Sequence, residues 1–258
     1  MGLSSEDPFS YMASTERLCE DSLEPTTLVL KDQYIASEAE PTNWLYQIGR
    51  DVTAIPQKAT SITFEKIENN DSLEVESSTP IKSHNKHIFY LAHPLGAQYR
   101  TDTPPYYLTS VSRNTLGNIS LETSKSRLGK TTFKVLVSSG RSWTDNPLFH
   151  ENAELLFNVK QKWANGHYIW TDSNNKQVAY EDDKGDQHRL VITASMETDT
   201  RDALVATWCL KLWHDTSESS QAKRENMESM TPPEEMLSYR GIRSMNSIAG
   251  FGGHAGLR

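Results

Sequence analysis

Four cationic side chains lie within ten residues near the middle of this sequence. They are Lys125, Arg127, Lys130 and Lys134. Grouped Lys and Arg side chains can hold an anionic group through charge-assisted hydrogen bonds. The spacing therefore indicates a candidate anion-binding site, and a solvated charged turn is the alternative interpretation.

Aromatic side chains form a second candidate site. The aromatic residues predicted to line a ligand pocket are Tyr106, Tyr107 and Trp170. Aromatics at the mouth of a barrel could hold an apolar small molecule. The polar residues that could supply acid–base chemistry beside them are His93, Asp102 and His167. The alternative is that these aromatics are ordinary core.

Other motifs in the sequence fall short of a known site. Gly129-Lys130-Thr131 resembles the end of a phosphate-binding loop, but Ser124 stands where the first glycine is required. His84 and His87 have no second group of ligands nearby in sequence to complete a zinc site. The sequence therefore predicts neither a metal nor a cofactor.

Short strands follow one another along most of the chain. Trp44, Tyr46 and Ile48 alternate with other residues in the period of two that is typical of a half-buried strand. The run 26–31 is predicted to continue past Asp32 into 33–35 as one strand. About eleven strands separated by turn sequences predict an antiparallel barrel or sandwich.

The segment 199–214 has a different character from these strands. Its apolar residues, among them Leu204, Trp208 and Cys209, fall on all sides of a helix, and only Thr207 and Lys211 interrupt them. A helix that is apolar all round is buried. A barrel of eleven or twelve strands has room for such a helix, so we predict that it threads the barrel as its core.

Charge and composition set the boundaries of the domain. The chain has a net charge of −8, and most of this net negative charge comes from the N-terminal segment, which carries six acidic residues and one basic residue. We predict a flexible acidic arm over 1–25, a barrel over 26–214 and a flexible tail over 215–258. A nearly neutral barrel argues against nucleic-acid binding.

The location of the protein is predicted from what the sequence lacks. No secretory signal or transmembrane segment is predicted, and two cysteines give no disulfide framework, so we expect a cytoplasmic protein. The glycosylation sequon at Asn118 is then a chance match.

The closing part of this pattern resembles a known family. A strand WTDSNNKQVAYED, a strand HRLVITASM and the helix DALVATWCLKLW are similar to the end of the tubby C-terminal-like superfamily. The resemblance is in particular to its LURP-one-related branch, whose fungal members share such a terminal helix. The resemblance implies a mainly β fold, a single antiparallel barrel of about twelve strands threaded by the buried C-terminal helix.

The resemblance also implies a binding function. Tubby proteins bind phosphoinositide head groups through Lys and Arg on the barrel surface. The expected function is therefore a binding module for a lipid head group or a protein partner, with the cations at 125–134 as a candidate site. The alternative is an enzyme, an isomerase or cyclase, that acts on an apolar metabolite in the aromatic pocket.

Overall fold

The structure is a computed structural model. It describes residues 22–55, 60–68, 84–101, 103–113, 115–125, 131–162, 167–182 and 187–230. The first strands are β1 Ser22–Leu23, β2 Thr26–Lys31, β3 Tyr34–Ser37, β4 Glu40–Ile48, β5 Ser61–Glu68, β6 His84–Ala92 and β7 Tyr107–Ser110. The later strands are β8 Asn118–Lys125, β9 Thr131–Ser138, β10 Glu154–Gln161, β11 Tyr168–Thr171, β12 Gln177–Glu181, β13 His188–Ile192 and β14 Met196–Glu197. Two helices follow, α1 Thr198–Ser217 and α2 Ser220–Met230.

Strands β2 to β13 form a closed antiparallel barrel of twelve strands. Each strand pairs with its neighbours in sequence, and β13 pairs with β2 to close the barrel, with Leu190 opposite Leu28. A closed barrel has no unpaired edge strand that could template aggregation. The predicted barrel of about twelve strands is confirmed.

One predicted strand is divided in two. Lys31 at the end of β2 pairs directly with Tyr34 at the start of β3, so Asp32 and Gln33 form a tight turn. Asp32 has a positive φ of 54°, a conformation that Asp tolerates better than most residues. The prediction of one strand over 26–35 was therefore wrong, and the extra hairpin brings the count to twelve.

Helix α1 occupies the interior of the barrel. Every residue from Arg201 to His214 is buried, and Trp208 and Trp213 are among the largest fully buried side chains. They pack with inward side chains of the strands, such as Phe64 and Leu91, in one hydrophobic core. The predicted central helix over 199–214 is confirmed, and it is longer by one residue at its start and by three at its end.

The segments that flank the barrel contain further structure. Ser22–Leu23 pairs with Met196–Glu197 beside the first turn of α1, and residues 1–21 lie outside the described residues. Helix α2 lies within the segment predicted as a tail, and Ala222 on it is buried. Residues 231–258 lie outside the described part of the chain. Neither helix is both long and apolar enough to cross a membrane within the residues described.

Candidate functional site

An ion-paired cluster lies at the C-terminal end of α1. Lys211 Nζ is 2.7 Å from Glu181 Oε2 and 2.9 Å from Asp215 Oδ2. The Trp170 indole N–H donates a hydrogen bond to Glu181 Oε1 at 3.0 Å. The Lys211 ammonium also lies 3.6 Å from the centroid of the Tyr168 ring, a cation–π contact. Since the Lys211 and Glu181 side chains are 2% and 4% exposed, this charge pair belongs to the core. We call these five residues the Lys211 cluster.

The pKa shifts in the Lys211 cluster indicate a structural role. Burial lowers the pKa of Lys211, but the charges of Glu181 and Asp215 outweigh burial and raise it. Burial raises the pKa of Glu181, against the effect of the Lys211 ammonium. Burial also raises the pKa of Asp215, but the hydrogen bond with His214 and the charge of Lys211 together bring it below its usual value. A lysine that stays protonated cannot act as a nucleophile.

A second polar cluster holds the other end of α1. The Tyr46 hydroxyl donates a hydrogen bond to Asp202 Oδ1 at 2.6 Å, and Lys66 Nζ is 3.0 Å from Asp202 Oδ2. Burial raises the pKa of the Tyr46 hydroxyl, and the charge of Asp202 raises it further. Polar contacts with the barrel wall therefore fix α1 near both of its ends.

His93 and Tyr106 close the barrel over the end of α1. Their rings stack with centroids 4.1 Å apart, and His93 Nδ1 is 2.7 Å from the Pro105 carbonyl oxygen. Tyr106 also meets the rings of Trp213 and His214 edge-on, at 6.3 and 5.0 Å between centroids. Tyr106 is 3% exposed. Two of the residues predicted to act in an aromatic pocket are thus packed against the core.

Folding stability is expected to fall at alkaline pH because of these buried groups. Burial raises the pKa of Tyr106 to about 12, and the pKa values of Tyr46 and Lys211 are raised as well. Each group keeps its proton in the folded state at a pH where the unfolded chain has lost it, so stability is lost as the pH rises above about 10.

Urea unfolding at pH 9 and pH 11 checks this expectation. The free energy of unfolding should be lower at pH 11, and Tyr106→Phe should reduce the difference between the two pH values by about 1 kcal/mol. An equal pH dependence in the wild-type protein and in Tyr106→Phe would show that the raised pKa of Tyr106 does not contribute to the loss of stability.

The other predicted pocket residues lie in different surroundings. Trp170 is fully buried in the core and bonded to Glu181. His167 lies just before β11, where its carbonyl oxygen accepts a hydrogen bond from the Lys162 N–H at 2.8 Å. Asp102 lies outside the described residues. Of the three aromatics, Tyr107 alone lines a groove.

The two described cations of the predicted anion site lie on opposite faces of the sheet. Lys125 pairs with Thr131 and Lys134 pairs with Glu122, in a register that runs without a bulge. Side chains of successive residues alternate between the two faces, and directly opposed residues share a face. Lys125 therefore shares a face with Thr131, its direct partner. Lys134 is three residues beyond Thr131 on the same strand, so its side chain lies on the other face. Arg127 and Lys130 lie outside the described residues.

An open groove lies on the outer wall of the barrel across β5, β6 and β7. Its volume is about 450 Å³. Its lining includes Tyr90, Pro94, Arg100, Tyr107, Thr109 and Trp143. Tyr90 pairs with Thr109 and is on the outer face, whereas the next pair, Leu91 and Leu108, points into the core. Because side chains alternate between the two faces along a strand, Tyr107 lies on the outer face and Tyr106 on the inner face.

A buried asparagine holds the loop that forms one side of the groove. Asn118 Oδ1 accepts a hydrogen bond from the Ser110 N–H at 2.8 Å. Its Nδ2 donates to the carbonyl oxygens of Ser142 and Leu148 at 3.0 and 2.8 Å. The Trp143 N–H donates to the Ser110 carbonyl oxygen at 2.9 Å, so the loop is tied to the barrel at several points. Because Asn118 is fully buried, its side chain is not accessible for glycosylation in the folded protein.

Three large side chains on the groove lining, or next to a lining residue in sequence, are open to solvent. Leu95 is 83% exposed, Tyr99 is 85% exposed and Trp143 is 54% exposed. Arg100 is the one charged residue among the described residues that line the groove. We call Tyr90, Leu95, Tyr99, Arg100, Tyr107 and Trp143 together the groove surface. Trp, Tyr and Arg are the residues most enriched at the centres of protein interfaces.

Neither the groove nor the rest of the described chain contains a recognisable metal centre. No group of three His, Cys, Asp or Glu residues within the described ranges is arranged to hold a metal ion. Cys209, buried within α1, has its thiol pKa raised by that burial. Comparison with known proteins identifies no relative: no family model, curated protein or solved structure matches this chain.

Proposed function

We propose that this protein is a tubby-like barrel that acts as a non-enzymatic binding module, and that it binds a protein partner through the groove surface. The observation that carries the proposal is that exposed Trp143 and Arg100 line a groove on the outer wall, with exposed Tyr99 next to Arg100 in sequence. Exposed apolar patches of this kind mark interaction sites. The closed barrel with its central helix is the fold expected from the resemblance.

The partner should present an extended segment that carries both an apolar side chain and a carboxylate. Trp143 and the half-buried Tyr90 offer ring surfaces to an apolar side chain. Arg100 can form a bidentate pair with a carboxylate. The strands of a closed barrel have no free backbone edge, so recognition must come from side chains. A small molecule would be mostly enclosed in its site, whereas this groove is open and Arg100 and Trp143 on its lining are exposed.

Two other functions have less support. A lipid head group would need several cations on one surface, and Lys125 and Lys134 face opposite ways. An isomerase or cyclase would need an open apolar cavity beside an acid–base group, and His93, one of the candidate acid–base residues, is packed against Tyr106 and Trp213. The proposal places the protein in the cytoplasm, where a free thiol such as Cys209 stays reduced.

Selection of peptides from a random library on the immobilised full chain tests the proposal. We expect enriched peptides to combine Asp or Glu with an aromatic or aliphatic residue. Their dissociation constants should rise at least tenfold with Arg100→Glu and with Trp143→Ala, because each change removes a central contact. Arg50→Glu is the matched control, since Arg50 is an exposed arginine outside the groove, and it should leave binding unchanged.

Two results would contradict the proposal. The first is that no peptide is enriched, or that enriched peptides bind Arg100→Glu and Trp143→Ala as tightly as wild type. The second is salt-sensitive co-sedimentation with phosphatidylserine vesicles that both groove variants retain, which would favour a lipid surface instead.

A further inference from the structure

A second pocket is formed by the loop that borders the groove. This loop joins β9 to β10 over residues 139–153, all of which are described, and it contains no strand or helix. Connections this long without secondary structure are uncommon in compact domains, and ordered ones usually carry a function. The pocket has a volume of about 440 Å³, and its lining residues are Arg141, Pro147, Phe149, His150, Glu151 and Asn152. We call it the loop pocket.

The groove and the loop pocket share a wall. Leu148 lines the groove, and its two neighbours in sequence, Pro147 and Phe149, line the loop pocket. The Phe149 ring also packs edge-on against the ring of Tyr107, a groove residue, with centroids 5.5 Å apart. An extended segment advances about 3.3 Å per residue. A segment that crosses Leu148 can therefore pass from one pocket to the other within a few residues.

The loop is fixed to the barrel at both ends and near its middle. The Arg141 N–H donates to the Ser138 carbonyl oxygen at 3.2 Å, and the His150 N–H donates to Ser138 Oγ at 3.0 Å. Asp145 pairs with Arg113 from the connection between β7 and β8. These contacts add to those of Asn118 described above. Because a loop that is already fixed loses little entropy on binding, both pockets are preorganised.

Arg141 supplies the positive charge of the loop pocket. The residue is half-buried, and within the described chain its guanidinium forms no ion pair. Its Nε is enclosed and has no hydrogen-bond partner there. A partly buried charge without a partner is costly, so a ligand that supplies the missing acceptor is favoured. A carboxylate can do so through a bidentate pair.

Glu151 limits the charge that the loop pocket accepts. It is exposed, lines the same pocket and, among the described residues, does not pair with Arg141. One cation beside one carboxylate favours a ligand with a single negative charge, because Glu151 repels each further charge. The pocket therefore suits the carboxylate of Asp or Glu better than a phosphate group, whose charge is close to −2.

We infer that the partner segment bound in the groove continues across Leu148 into the loop pocket, where Arg141 pairs with a second carboxylate of that segment. The partner accordingly carries two acidic residues, one for Arg100 and one for Arg141, together with the apolar residue that lies against Trp143. This inference rests on the proposed function, because it extends the segment that the groove binds.

Selection from a library of random dodecapeptides on the immobilised full chain tests the inference. We expect the enriched peptides to carry two acidic residues. Arg141→Glu should raise their dissociation constants about tenfold, because it sets one carboxylate against another. Glu151→Gln should lower them about threefold, because it removes a repelling charge from the same pocket. Arg50→Glu, at an exposed arginine outside both pockets, is the matched control and should leave binding unchanged.

Charge swaps assign each acidic residue of a selected peptide to its arginine. Replacing one of them by Lys should restore binding to Arg141→Glu but not to Arg100→Glu, and replacing the other should do the reverse. A peptide with Ala in place of the residue assigned to Arg141 should bind Arg141→Glu and wild type equally, which also shows that the variant is folded. Phosphoserine at that position should weaken binding to the wild-type protein, because of Glu151.

The outcomes separate the inference from the proposed function. Peptides that require Arg100 and Trp143 but bind Arg141→Glu as tightly as wild type would overturn the inference and leave the proposed function intact. Peptides that require Arg141 but neither groove residue would contradict both, since the loop pocket would then bind on its own. Tighter binding of the phosphoserine peptide would overturn the assignment of a carboxylate to the loop pocket.

Discussion

Replacing Leu204 with Asp is expected to abolish cooperative folding. Leu204 is fully buried on α1 inside the barrel, where no water can solvate a new carboxylate. Burying a carboxyl group that must take up a proton and has no partner, together with the lost leucine contacts, costs an amount comparable with the 5–15 kcal/mol by which domains are usually stable. Trp208→Asp should have the same result, since Trp208 is also fully buried. Circular dichroism and urea titration of purified protein measure the outcome.

Leu95→Asp is the matched control for this prediction. Leu95 is exposed, so the same chemical change should alter the free energy of unfolding by no more than about 0.5 kcal/mol. If Leu204→Asp remained soluble with a cooperative unfolding transition, α1 could not be the core of the barrel.

Removing the buried ammonium is the second change with a large expected effect. Lys211→Ala leaves Glu181 buried without its cation, and it also removes the partner of Asp215. Breaking a buried ion pair in this way costs about 3–5 kcal/mol. The free energy of unfolding, measured by urea titration at pH 7, should fall by this amount.

Two variants serve as controls for Lys211→Ala. Lys223→Ala breaks a pair with Glu218 in which both side chains are largely exposed, and it should cost less than about 1 kcal/mol. The double variant Lys211→Met with Glu181→Gln removes both charges, so it should be clearly more stable than Lys211→Ala. A loss for Lys211→Ala no larger than that for Lys223→Ala would show that the Lys211 cluster does not stabilise the fold.

The fold could be predicted from the sequence because its signals are local. Short apolar or alternating runs mark most strands of the barrel, and the apolar surface on every side of 199–214 marks a buried helix. The two-residue turn at Asp32 was missed because its signal is weak: it contains neither Gly nor Pro. One missed turn is enough to change the number of strands.

The arrangement of charges could not be predicted in the same way. Lys211 reads in sequence as an interruption of an apolar helix, and its partner Glu181 lies thirty residues earlier on a strand. Pairing at that distance depends on how the barrel closes around the helix. A sequence does hold one usable signal here, because a lysine within a buried helix needs an acidic partner.

The groove was only partly predictable for a related reason. The alternation of Tyr106 with Tyr107 places one inward and the other outward, and the inward one does not line a surface pocket. Arg100 and Trp143 come to the same groove from two separate loops. Asn118 fixes one of these loops through contacts with residues up to thirty positions away. Long-range contacts of this kind have no local pattern in the sequence.

Thiol labelling of Cys209 tests most directly whether α1 fills the interior of the barrel. If it does, the outer wall is the surface available for binding. A Cys19→Ser variant leaves Cys209 as the only thiol in the chain. Because Cys209 is fully buried on α1, its labelling by a thiol reagent should require global unfolding. The free energy of opening obtained from the labelling rate should then equal the free energy of unfolding from urea titration. Rapid labelling under native conditions, with an opening free energy well below that of unfolding, would contradict the buried helix and return the interior of the barrel to consideration as a ligand site.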